Sequence, residues 1–126
     1  MGYLDIRKIL RFWFPVLGYS GIIFYVSSIA KLKTPVDIMY FDKVWHLLEY
    51  LPFGFLLARA LVNTRSSLSR SSMVGLVLLL SFFYGVSDEV HQSFVAGRES
   101  ALTDVLADTI GGLIGGYVYP FFNKGI

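Results

Sequence analysis

The chain has no cysteine. That excludes disulfides, iron–sulfur clusters and thiolate zinc sites, and it leaves the redox compartment open. Charge is scarce: Asp, Glu, Lys and Arg make up 16% of the residues, where an ordinary soluble domain carries about 25%. The two histidines, His46 and His91, match no standard zinc spacing. Nothing in the slight net charge of +2 points to nucleic acid, which is not expected as a partner. What fills the chain is apolar, 55% of all residues, and aromatic, 17%. This composition predicts an integral membrane protein. At 126 residues it is read as one domain, 1–126, too short for a pore-lining bundle plus a soluble module. It is long enough for about four spans of roughly 20 residues each.

Four apolar stretches are predicted as transmembrane helices, from about Ile9 to Ala30, Val44 to Val62, Met73 to Gln92 and Ala101 to Phe122. Each can cross a hydrocarbon layer of roughly 30 Å. The connections are short and carry breakers at Thr34-Pro35 and Gly97-Arg98. An all-α, up-and-down antiparallel bundle of four transmembrane helices follows, in which Pro15 and Pro52 are candidates for kinks. Arg7, Lys8 and Arg11 in the N-terminal tail, with Arg59, Arg65 and Arg70 around the second connection, place both termini in the cytoplasm. Lys31, Lys33 and Lys43 weaken the bias, although Asp37 and Asp42 lie beside them. The basic N-terminus followed by an apolar run ending in Ser28-Ile29-Ala30 also fits a signal peptide. The run is long and rich in aromatics for that, so it is read as a retained helix.

Three polar segments interrupt the apolar chain. They are Asp42 to Tyr50, Asp88 to Arg98, and Asp104 with Asp108. In the expected topology all three belong to the outward-facing half. An ionisable group costs about 2.5 to 3.5 kcal/mol near a bilayer centre on insertion scales, so such a cluster points to a site. Asp42, His46 and Glu49 share one helix face, with Tyr50 beside it. Tyr84, Asp88, His91 and Gln92 form a second stripe, and Asp104 and Asp108 stand one turn apart. Glu49 and Asp108 each lie roughly 10 to 12 Å from their helix ends and are placed to meet across the bundle. Ala107, Gly111 and Gly115 make one ridge of small residues on the last helix, and Gly112 and Gly116 a second. Close helix packing explains both ridges without any functional claim.

Each polar residue alone has a plainer explanation. His46 could be a hydrogen-bonded core residue or interfacial anchor, Asp104 a capping carboxylate, and Asp88-Glu89 interfacial acids at a helix end. Glu49 and Asp108 are too deep for capping and need inward partners, which favours a shared site.

The string Asp42-Lys43-x-x-His46-x-x-Glu49-Tyr50, then Tyr84-Gly85-x-Ser87-Asp88-Glu89-x-His91-Gln92-x-Phe94-x-x-Gly97-Arg98, then Asp104-x-x-x-Asp108-x-x-Gly111, resembles the VanZ-like family. The likeness covers roughly residues 10–122. Departures are small, namely Ala96 where proline is expected and the Ala107-Asp108 pair. The resemblance implies a bacterial cell-membrane protein of the envelope, in a family whose founding member is linked to teicoplanin-type glycopeptide resistance. Kinship with membrane enzymes acting on lipid head groups has been proposed for that family. Resistance is not carried over to this chain.

From the residues themselves, Asp42, Glu49, Asp88, Glu89, Asp104 and Asp108 outnumber the nearby cations Lys43 and Arg98. They cannot all ionise in a low-dielectric pocket unaided, so they are candidate ligands for a divalent cation. Oxygen donors favour calcium, magnesium or manganese. His46, Glu49, Asp88, His91 and Asp108 are the candidate catalytic groups, with a histidine as general base or as nucleophile in head-group exchange. Lys43, Tyr50, Gln92 and Arg98 are the candidate substrate contacts, Arg98 as a bidentate phosphate clamp. A triad through Ser87 or Ser93 lacks the strained elbow that usually presents such a serine. The expected partners are membrane lipids or lipid-linked wall precursors. The leading reading is a metal-assisted head-group hydrolase or transferase, followed by a non-catalytic binder. Conduction comes last, because residues 73–80 and 114–118 look sealed.

Overall fold

The computed structural model describes residues 5–29 and 41–123. Four helices follow one another: α1 Ile6–Ser28, α2 Phe41–Thr64, α3 Arg70–Ser93 and α4 Leu102–Phe122. No strand occurs among the described residues. The first three helices begin about one turn before the apolar runs that predicted them. For α1 and α3 the reason lies in the caps, which are polar and start the helix outside its apolar stretch. Asp5 accepts from the Arg7 amide at 3.1 Å, and Ser69 accepts from the Ser72 amide at 3.2 Å. Gly97 adopts a φ of 81°, a conformation that needs glycine, in the turn that leads from α3 to α4. Pro15 and Pro52 lie inside helices that run on without a break. The Thr34-Pro35 turn, with Lys31, Lys33 and Asp37, lies outside the described residues.

Helices α1, α3 and α4 are each long and apolar enough to cross a membrane. Helix α2 is as long but is less apolar than that, so three of the four expected spans meet the requirement by length and composition. Its position accounts for this. It packs against all three other helices and buries His46, Tyr50, Phe53, Gly54, Leu57, Ala58, Ala60 and Leu61. A helix shielded in this way can carry polar side chains toward the bundle interior. The outer surface is apolar instead, with Phe14 and Leu17 of α1, Phe83 of α3 and Phe121 of α4 all exposed. Water would penalise so continuous an apolar surface, whereas hydrocarbon does not.

Small residues set how closely the helices approach. A Cβ on Gly111 or Gly115 would collide with the α2 backbone at Leu47 or Leu51, and one on Gly112 or Gly116 would meet Ser81 or Val77 of α3. The two ridges of α4 therefore face different neighbours. Gly54 of α2 sits against the Gly112 backbone, so neither helix has room for a side chain there. Helix α1 is peripheral. It buries only Val16, Ile23 and Ser27, and its packing partners are α2 and α3.

Candidate functional site

Contacts bring the end of α1, the start of α2, the end of α3 and the start of α4 together. On α2, Lys43 and His46 are three residues apart and so share a face. On α4, Asp104 and Asp108 do the same at a spacing of four. These two faces meet. His46 Nδ1 lies 2.9 Å from Asp108 Oδ1, and its Nε2 lies 3.8 Å from Asp104 Oδ2. Lys43 donates to Asp104 Oδ1 and stands 3.4 Å from Asp42 Oδ2. His46, Asp104 and Asp108 are all buried, Asp108 completely. Space for Asp108 comes from Gly85 on α3, where a Cβ would lie 3.2 Å from both the Asp108 Cβ and Oδ2.

Helix α3 contributes two consecutive buried acids that diverge by about 100° around its axis. Glu89 turns toward α4, where its Oε2 accepts the Ala101 amide at 2.8 Å. Ala101 has no side-chain cap, so Glu89 serves the start of α4 from a neighbouring helix. Asp88 turns the other way. Gln92 donates to its Oδ2 at 3.0 Å and accepts in turn from Arg98 at 3.3 Å. Arg98 also donates to the carbonyls of Ile29 and Val26, at 3.0 and 2.8 Å, and thereby pins the end of α1.

Among the described residues, four buried polar atoms have no hydrogen-bond partner: Glu89 Oε1, Asp108 Oδ2, Tyr50 Oη and Ser81 Oγ. Burying such a group unpaired costs roughly 1 to 3 kcal/mol, so their grouping is informative. Ligand atoms of His46, Glu89 and Asp108 lie within 4.8 Å of one another, as do those of Asp42, His46 and Asp104. Either set could hold a metal ion. Outside Glu89, a groove of about 280 Å³ runs between α3 and α4, with Val86, Val90, Leu102 and Val105 among its walls.

Several expected residues stand elsewhere. His91 faces α1, stacked on Phe24 at 4.2 Å with Nδ1 2.8 Å from Ser27 Oγ and Nε2 3.4 Å from Ser28 Oγ. It lies two residues beyond Glu89, about 200° around the axis from the side that faces α4. The hydrogen bond of Asp108 is made with His46. Glu49 is half-buried and interacts electrostatically with Asp88, His46, Asp108 and Arg98. Tyr50 is fully buried against Phe53 and Tyr84. Ser87 and Ser93 are exposed and donate to carbonyls of their own helix, those of Tyr84 and Val90, so neither serves a triad. Asp104 binds Lys43 instead of capping, and Asp88 and Glu89 are buried, not interfacial. Sequence reasoning missed Ser27, whose only signal was helical placement in an apolar run, and it left His46 out of the metal ligands.

The chain also matches a protein-family model, described as VanZ/LLP1, over residues 6–123. No curated protein and no solved structure matches it. The span that matches includes all four helices and every residue of the buried polar cluster, and with three apolar helices it identifies a membrane protein. The chain belongs to the VanZ/LLP1 family.

Proposed function

We propose that this is a bacterial cell-envelope protein that holds a phosphate-bearing head group, from a membrane lipid or a lipid-linked wall precursor, where α2, α3 and α4 meet. The observation that carries the reading is the joint burial of Asp88, Glu89, Asp104 and Asp108 beside a groove with largely apolar walls. Such a groove suits the chain of an amphiphile, and the polar cluster suits its head. The acids alone would repel phosphate. Lys43 is engaged with Asp42 and Asp104, and Arg98 with three acceptors, so a divalent cation belongs to the proposal.

The polar end is assigned to the outer leaflet, in an antiparallel bundle with both termini cytoplasmic. Arg7, Lys8 and Arg11 at one helix start and Arg59, Arg65 and Arg70 around the second connection support this. Cysteines introduced singly at Ser67 and Gly97 test it, since the impermeant thiol reagent should label only position 97 on intact cells. The reverse pattern rejects the sidedness.

In the enzyme form of the reading, His46 and Asp108 would help hold the cation, which would polarise the phosphate for attack, and Asp108 also orients the His46 ring. His91 is committed to α1 and has no such role. The binder form has its own support: no serine hydroxyl contacts His46 among the described residues, and Arg98 is taken up by backbone carbonyls. The experiment is head-group release or exchange with labelled envelope lipids in nanodiscs, run beside lipid binding. His46→Gln should abolish turnover. Tight binding without turnover under every divalent ion selects the binder form, and absence of both discards the head-group reading.

A further inference from the structure

We propose that His46, Glu89 and Asp108 form a site for one divalent ion of the zinc type. The site names the cation on which the head-group reading rests. Its three residues come from α2, α3 and α4, so an ion there would join the three helices at one point. All three are buried, and their ligand atoms already lie within 4.8 Å of one another.

Two triads share His46, and the contacts distinguish them. In the outer one, Asp42, His46 and Asp104, the Lys43 ammonium already bridges both carboxylates. A cation arriving there has to displace a fixed positive charge. Asp42 is also partly exposed, with 42% of its side chain accessible, so water can satisfy it. Among the described residues, no ammonium reaches the Glu89 and Asp108 carboxylates of the inner triad. That triad also contains both of the buried carboxylate oxygens that lack any partner, Glu89 Oε1 and Asp108 Oδ2. Glu89 is only 7% exposed and Asp108 is at 0%, so water is no ready substitute. Two buried carboxylates that each keep an unpartnered oxygen, on residues whose ligand atoms gather within 4.8 Å with those of an imidazole, make a donor set that a dication completes.

The donor set also decides the kind of ion. Calcium takes six to eight oxygens and magnesium keeps a near-octahedral oxygen shell, and neither is suited by a buried imidazole. One nitrogen and two carboxylates suit zinc, with manganese or cobalt as weaker fits. Three protein ligands leave one position of a four-coordinate ion for water or a phosphate oxygen. Gly85 keeps α3 close to Asp108, and the Ala101 amide holds Glu89 by its other oxygen. Both hold the ligands in place, as outer-shell partners do in metal sites.

The test uses the full chain, stripped of metal in detergent and titrated with Zn²⁺, Co²⁺, Mn²⁺, Mg²⁺ and Ca²⁺. About one equivalent of Zn²⁺ should bind, Co²⁺ should give visible absorption bands that Zn²⁺ abolishes, and Mg²⁺ and Ca²⁺ should bind more than about 100-fold more weakly. His46→Gln, Glu89→Gln and Asp108→Asn should each weaken Zn²⁺ by more than about 100-fold, beyond the effect of losing an outer-shell partner. Circular dichroism confirms folding of each variant, and Asp42→Asn should leave the affinity unchanged. Loss of binding in Asp42→Asn with retention in Glu89→Gln assigns the ion to the outer triad and overturns the proposal. So does tighter binding of Ca²⁺ or Mg²⁺, or a folded wild type that binds none of the five ions. Head-group binding on the same preparations separates the two ideas, because lipid binding without metal binding removes this site and leaves the head-group reading standing.

Discussion

The two ends of the bundle use polar residues in opposite ways. Where α1 starts and α2 ends, uncharged groups make hydrogen bonds from one helix to another. Trp13 of α1 donates to Thr64 of α2 at 3.3 Å, and Asn63 of α2 to Tyr119 of α4 at 3.1 Å. The arginines there lie over aromatic rings, Arg59 at 4.7 Å from Phe12 and Arg70 at 5.1 Å from Tyr117. At the other end four acids are buried around one histidine and one lysine, and two carboxylate oxygens are left without a partner. Packing three helices together requires hydrogen bonds, but it does not require surplus buried acids. The contrast separates polarity that builds the bundle from polarity held ready for something else.

That separation breaks down first if the closely packed middle proves dispensable. Gly54→Val places a side chain into the Gly112 backbone and should cost at least about 3 kcal/mol, the top of the usual overpacking range, or prevent folding. Denaturant unfolding in micelles reads it. A variant as stable as the wild type contradicts the close approach of α2 and α4.

The next largest effect concerns the acids themselves. Glu89→Gln and Asp108→Asn keep shape while removing buried charge, and should leave stability unchanged or raise it by about 1 kcal/mol or more. Lipid head-group binding should be lost in the same proteins. If these variants unfold instead, the acids are structural and the comparison between the ends fails.

Arg98→Lys gives up the fork that reaches Val26, Ile29 and Gln92 at once, with an expected loss of about 1 to 2 kcal/mol. Hydrogen exchange should speed up at the end of α1, and unaltered protection there would show that Arg98 does not hold that helix. The smallest change is expected from Thr64→Val, about 1 kcal/mol through the lost Trp13 bond, with head-group binding intact. Lost lipid binding in that variant would mean the ends are coupled.

Much of the fold was legible because a membrane imposes simple requirements. Runs of about 20 apolar residues located α1, α3 and α4, and the small residues of α4 declared its close faces before any neighbour was known. The site was legible only as a set of residues on three helices. Its pairings were not, because each depends on how far a helix is rotated about its axis. One residue is about 100° of rotation, enough to send Asp88 and Glu89 to different neighbours and His91 to α1. The hydrogen bond of Asp108 with His46 depends on the same rotation.

The sequence by itself determined a membrane protein, its helical segments, its family and the kinds of side chain gathered in its polar segments. Hydropathy and motif spacing are local properties, and they survive without knowledge of the neighbours. Only the tertiary structure decided that α2 is the shielded helix, that Lys43 neutralises Asp104, and that Glu89 and Asp108 each keep a buried oxygen unpartnered. Those outcomes depend on distances of a few ångströms between residues tens of positions apart, where electrostatics in a low dielectric changes steeply.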